Sequence, residues 1–211
     1  MKVLKFGGTS VGSSKNIDKV IQILANYSAN NTVICVVSAI GGITDKLLLA
    51  GNQAQNKDNN FLETFNNIKA IHFKIINELN ASKNESIINH VETRLNELKS
   101  LLDGIYLINE LSPKTSDKLV SFGESLSSYI IAETMKNRGL SAARKNSQEL
   151  IVTNSNFTKA EVNFNITNAN IQDYFKSSEQ QITILPGFIA HSTLGEQTTL
   201  GRGGSDFTAA I

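Results

Sequence analysis

No internal disulfide is open to this sequence, because it holds a single cysteine, Cys35, inside the apolar run Thr32 to Val37. A thiol there reads as an inert core group rather than a nucleophile. Charge of one sign is also lacking: 20 Lys and Arg stand against 19 Asp and Glu. Nucleic acids and anionic membranes, which need clustered cations, are therefore not expected partners. No apolar stretch approaches bilayer length, and no charged, apolar and small-residue sequence of a secretory signal opens the chain. A cytoplasmic location is the expectation. The sequence also has no G-x-x-x-x-G-K-[ST] phosphate loop, no G-x-G-x-x-G dinucleotide turn, and no H-R-D or D-F-G motif. Three common nucleotide-handling families are thereby excluded.

What is present is an alternation of strands and helices. Val3, Leu4 and Phe6 form a short apolar run ended by Gly7-Gly8. Ile17, Val20, Ile21 and Leu24 then recur at helical spacing, with Ser13 or Ser14 as N-cap. Thr32 to Val37 is apolar on both faces, as a buried parallel strand must be, and ends at Gly41-Gly42. Phe61 to Leu79 and Ile88 to Leu102 carry two helical patterns, separated by the polar break Asn80 to Glu85 and stopped at Gly104. They predict a helical hairpin, an insertion over about 53–111 beside the sheet. A further helix, capped by Ser116, should reach Arg138 and stop at Gly139. Short strands at 140–143, 150–153 and 182–185, the last extended by Phe188 to Ala190, complete a single α/β domain over 1–211 with a mainly parallel sheet covered on both faces.

Three glycine-rich turns follow predicted strands: Lys5 to Ser10, Ser38 to Thr44, and Gly201 to Asp206. Glycine lets backbone N–H groups approach a phosphate, and a helix behind the turn adds its positive end. One such pair is ordinarily just a tight turn. Three at strand ends, two of them bearing a cation, favour an anion site.

Lys-Phe-Gly-Gly-Thr-Ser-Val at 5–11 resembles the opening signature of the aspartokinases. Ser38-Ala39 with Gly42-Ile43-Thr44, then Phe122-Gly123-Glu124, Pro186 to Ile189, and Gly201 to Asp206 with Thr208-Ala209 follow in that family's order. The first and last motifs are the specific ones, and the resemblance spans essentially the whole chain. It implies the amino-acid-kinase fold, an α/β/α sandwich whose first half holds the amino acid and whose second half holds most of the ATP. It also implies a chain incomplete at its C-terminus, inactive by itself, from a parent that is a homo-oligomer. The length of 52–111 is similar to that of aspartokinases fused to homoserine dehydrogenase. The implied reaction moves the γ-phosphoryl group of ATP to the β-carboxylate of L-aspartate, a step toward lysine, threonine and methionine.

A carboxylate is already ionised at neutral pH, so the chemistry needs alignment and charge neutralisation rather than a base. His72, His90 and His191 are accordingly expected in surface or partly packed roles. Lys5 is placed to contact the transferring phosphate, with Gly7, Gly8, Ser10, Gly203 and Gly204 around it. Asp206 would orient Lys5 or reach Mg²⁺, which arrives with the nucleotide; no residue is assigned as a dedicated metal ligand. The family pattern carries a substrate carboxylate to Arg202 and the α-ammonium to Glu124. Thr44, Ser38 and Ser205 would add neutral hydrogen bonds, and Phe188 would pack beside the substrate. Another carboxylate or phosphate kinase of the same fold is the alternative, as is a non-catalytic aspartate-binding or scaffold chain.

Overall fold

Strand β1 (Lys2–Phe6) leads through a glycine turn into helix α1 (Ser14–Ser28), which returns the chain to strand β2 (Val33–Val37), paired parallel with β1 from Lys2 opposite Val33 to Phe6 opposite Val37. The computed structural model describes residues 1–81 and 84–211. Of the two expected caps of α1, Ser13 is the one used: its side chain accepts from the Asn16 N–H. The helix buries Ile17, Val20, Ile21 and Leu24.

The next elements are α2 (Ile43–Gln55), α3 (Phe61–Glu78), α4 (Glu85–Ile108) and α5 (Pro113–Asn137). The α3–α4 hairpin is present and packs against α2 and α5. Part of the polar break before α4, at residues 82 and 83, lies outside the described residues. Helix α4 does not stop at Gly104 but runs on to Ile108, where Asn109 takes a left-handed conformation with φ of 64°. Helix α5 begins earlier than expected. Ser112 rather than Ser116 is its cap, accepting from the Thr115 N–H, and Pro113 occupies the first turn, where a missing N–H is harmless. Its end at Arg138 and Gly139 is as expected.

Strands β3 (Ala142–Arg144) and β4 (Val152–Thr153), helix α6 (Phe164–Ser177), strands β5 (Ile182–Pro186), β6 (Ile189–Ser192) and β7 (Gln197–Thr199), and helix α7 (Gly204–Ala210) follow. The main sheet has the order β1-β2-β5-β3, parallel throughout. A smaller sheet has the order β4-β6-β7. The run expected to continue through Phe188 therefore breaks: Pro186 ends β5, Phe188 turns the chain with φ of 70°, and Ile189 starts the second sheet.

Alternation along β2 sorts its side chains between two cores. Val33, Cys35 and Val37 face the core built with α1 to α5, while Ile34 and Val36 join Leu150, Ile151, Leu185 and α6 on the other side. This is the α/β/α sandwich. Cys35 is fully buried, and burial pushes its thiol far above the usual range. His72, by contrast, departs from its expected surface or partly packed role. It is fully buried in α3, its Nδ1 pairs with the Ile68 carbonyl at 2.8 Å, and burial lowers its pKa to about 4. His191 lies in β6 rather than in a loop, and His90 stacks on Tyr129.

Candidate active site

The register of β1 against β2 brings two glycine turns together at the same end of the sheet. They meet backbone to backbone. A Cβ on Gly8 would lie 3.1 Å from the Ala39 carbonyl oxygen, and one on Gly41 3.1 Å from that of Gly8. A side chain at either position would push the turns apart. The third turn closes from the opposite side: Lys5 Nζ reaches Asp206 Oδ1 at 2.7 Å, tying the end of β1 to α7. Gly42 and Gly203 occupy equivalent places, each the cap of the following helix, with φ of 78° and 76°. Ile43 N–H donates to the Ile40 carbonyl, and the left-handed cap with no side-chain bond leaves the next N–H groups of the first turn of α2, those of Thr44 and Asp45, open to a ligand.

Between the turns lies a cleft of about 590 Å³. Of the residues singled out from sequence, Lys5, Gly8, Ser38, Thr44, Glu124, Phe188, Arg202, Gly203, Gly204, Ser205 and Asp206 line it. Gly7 and Ser10 do not. Gly7 is within reach of the Lys5 ammonium, but its carbonyl accepts the Ser10 N–H within the turn, and Ser10 faces a separate hollow beside Asn16 and Lys19. Asp117, Thr158, Thr199 and Asp45 also line the cleft and were not anticipated. For Asp117 one signal existed, its place seven residues before Glu124 on the same helix face.

Glu124 reaches the cleft because its neighbour is glycine. A Cβ on Gly123 would come within 2.8 Å of that of Ala39, so only glycine lets α5 approach the second turn so closely. Glu124 is 4% exposed, and among the described residues its Oε2 has no hydrogen-bond partner. Burial pushes its pKa up to about 7, against the opposing pull of the Ala39 N–H. Across the cleft Arg202 is exposed and has no ion-pair partner among the described residues. Phe188 is held on α7 by its N–H, which donates to Thr208 Oγ1 at 3.0 Å. The cleft thus offers a desolvated carboxylate at one wall, a free guanidinium at another, and a lysine between two glycine turns.

Two glycine turns at the carboxyl ends of adjacent parallel strands, with Lys5 beside them and the Arg202 turn brought in from the smaller sheet, give an α/β protein a cleft suited to anions. The profile of the amino acid kinase family matches residues 1–211, and the chain belongs to that family. It is 34% identical to aspartokinase 1 of Arabidopsis thaliana over 98% of its own length and 37% of the relative's. It is 29% identical to the bifunctional aspartokinase/homoserine dehydrogenase of Buchnera aphidicola, covering 26% of that protein. Escherichia coli aspartokinase III, solved in complex with aspartate and ADP, superposes with a TM-score of 0.86 at 30% identity over 99% of this chain and 45% of that one. The chain therefore spans less than half the length of the relatives it resembles.

Proposed function

We propose that these residues form the amino-acid-binding part of an aspartate kinase. Glu124 and Arg202 carry the reading. A buried carboxylate with a free oxygen is expensive unless a cation completes it, and the α-ammonium of an amino acid does so. Arg202 then takes a substrate carboxylate in its planar fork, and Thr44, Ser38 and Ser205 supply hydroxyls beside it. Phe188 packs against the substrate.

In the reaction a β-carboxylate oxygen of aspartate attacks the γ-phosphorus of ATP, the bond from that phosphorus to the bridging oxygen breaks, and ADP leaves with the electron pair. No proton has to move. The protein's part is to hold the two anions in line and to neutralise charge. Lys5, oriented by Asp206, lies where the transferring phosphate would sit, with the N–H groups of the Gly7-Gly8 and Gly203-Gly204 turns around it and Ser10 at the outer edge. The described residues hold no group of three His, Cys, Asp or Glu side chains that could cage a metal ion. Asp206, paired with Lys5 at the cleft, is a protein carboxylate that Mg²⁺ carried by the phosphates of ATP could reach, and the ion when bound would neutralise phosphate charge.

By the same reading the working enzyme is a homo-oligomer, and residues 1–211 alone turn over no substrate. The reading places it in the cytoplasm, whereas the Arabidopsis relatives are chloroplastic; no helix among the described residues is long and apolar enough to cross a membrane. The test is ATP-dependent formation of acyl phosphate, trapped as its hydroxamate, by the intact gene product offered aspartate, glutamate or N-acetylglutamate. Aspartate alone should yield product. Preference for either of the others would assign the cleft to a different carboxylate kinase of the family.

A further inference from the structure

Two turns before Glu124 on the same face of α5, Asp117 is 1% exposed. No cation pairs with it among the described residues. Instead three hydrogen bonds reach it from the walls of the cleft. Its Oδ1 accepts from Thr199 Oγ1 at 2.6 Å, and its Oδ2 accepts from the Thr199 N–H at 3.0 Å and the Thr158 N–H at 2.9 Å. Both donors adjoin the arginine turn. Thr199 ends β7, three residues before Arg202, and Gly201 lies over Thr158 so closely that a Cβ on it would sit 3.2 Å from the Thr158 carbonyl oxygen.

Thr158 has φ of 72°. A β-branched residue in that region is an outlier that persists only where its surroundings over-determine it. Its carbonyl meets Gly201 and its N–H meets Asp117, so the strained peptide is clamped from both sides. Helix α5 carries both ends of this arrangement, since Glu124 enters the cleft from it and Asp117 holds the opposite wall to it.

We propose that Asp117 is a positioning residue: it fixes the Thr158 and Thr199 segments to α5 and so sets the separation of Arg202 from Glu124 to match one amino-acid substrate. The choice of aspartate as the ligand rests on the function proposed above; the clamp itself does not. A carboxylate suits the task because two oxygens in one plane accept three donors, and the bonds of an ionised acceptor are stronger than those of a neutral one.

The test compares Asp117→Ala and Asp117→Asn in the intact protein by two readouts. Amide hydrogen exchange at Thr158 and at 199–206 should quicken about tenfold or more in Asp117→Ala, while β2 and β5 keep their protection. In steady-state kinetics the KM for aspartate should rise at least about tenfold and the KM for ATP stay within about twofold. Asp117→Asn keeps an acceptor oxygen for the two N–H groups and should recover most of both effects. Unchanged exchange at 199–206, or KM values for both substrates rising together, overturns the proposal. If Asp117→Ala fails to fold, Thr199→Val removes only the hydroxyl contact and should raise the aspartate KM by about threefold; no rise overturns it equally. A wild-type protein that ignores aspartate would sink the function reading, and the exchange experiment would still decide the role of Asp117.

Discussion

Replacing Glu124 with Gln should stabilise the free protein while destroying its affinity for the amino acid. In the folded state the Glu124 carboxyl titrates near 7 because burial opposes its charge, against an ordinary value of 4.5. Below about pH 4.5 both folded and unfolded states hold the proton and nothing is lost. Between 4.5 and 7 the folded protein keeps a proton that the unfolded chain has released, so stability falls as pH rises. Above 7 both states are ionised and the full penalty applies. A difference of that size corresponds to on the order of 3 kcal/mol, an upper figure because the protein relaxes around the charge. Gln keeps the shape and an acceptor for the Ala39 N–H but carries no charge. Urea denaturation at pH 8 should therefore show Glu124→Gln more stable than wild type by about 1–3 kcal/mol, with the two curves converging near pH 5. Added aspartate should stabilise wild type at pH 8 and leave the variant unmoved, because only the ionised carboxylate completes an ammonium. A variant no more stable at pH 8, or one that still responds to aspartate, would refute the argument that Glu124 is held desolvated for a cation.

Arg202→Lys keeps the charge and loses the fork. Aspartate use should weaken by roughly 2–5 kcal/mol with ATP affinity retained, read as a split between the two KM values. Lys5→Ala removes the cation beside the phosphate turns, so kcat should fall by about 10²-fold or more while aspartate binding by calorimetry stays near normal. A near-normal kcat would make Lys5 a structural partner of Asp206 only.

Much of the fold and of the cleft is legible in the sequence. Glycine pairs after apolar runs mark strand ends whatever the fold, so the turns at Gly7-Gly8 and Gly41-Gly42 are legible and the main sheet brings them together, while the Arg202 turn arrives from β7 of the smaller sheet. A serine cap for α1, at Ser13 or Ser14, and the two-faced β2 are equally plain, because each depends on residues a few places apart. The misses have physical reasons. Helix α2 is hard to read because exposed Leu48 and Leu49 blur the stripe formed by Leu47, Ala50 and Ala54. Helix α6 fully buries only Thr167, and its short stripe of Ile171, Tyr174 and Phe175 stays half-buried, so its periodicity is weak. The break at Phe188 depends on a backbone conformation that its side chain does not advertise. For Asp117 the sequence offers only its helical spacing from Glu124, since its partners Thr158 and Thr199 are 41 and 82 residues away. Adjacency groups Ser10 with the phosphate turn, whereas the turn's curvature carries it to a different hollow.

The most direct measurement is a crystal structure of the intact protein with L-aspartate bound. The ammonium nitrogen should lie within hydrogen-bond distance, about 2.7–3.2 Å, of the Glu124 carboxylate. One carboxylate of the ligand should sit in the Arg202 fork, with the other directed toward Lys5. Aspartate bound elsewhere, or in this cleft with Glu124 contacting no cation, would contradict the account.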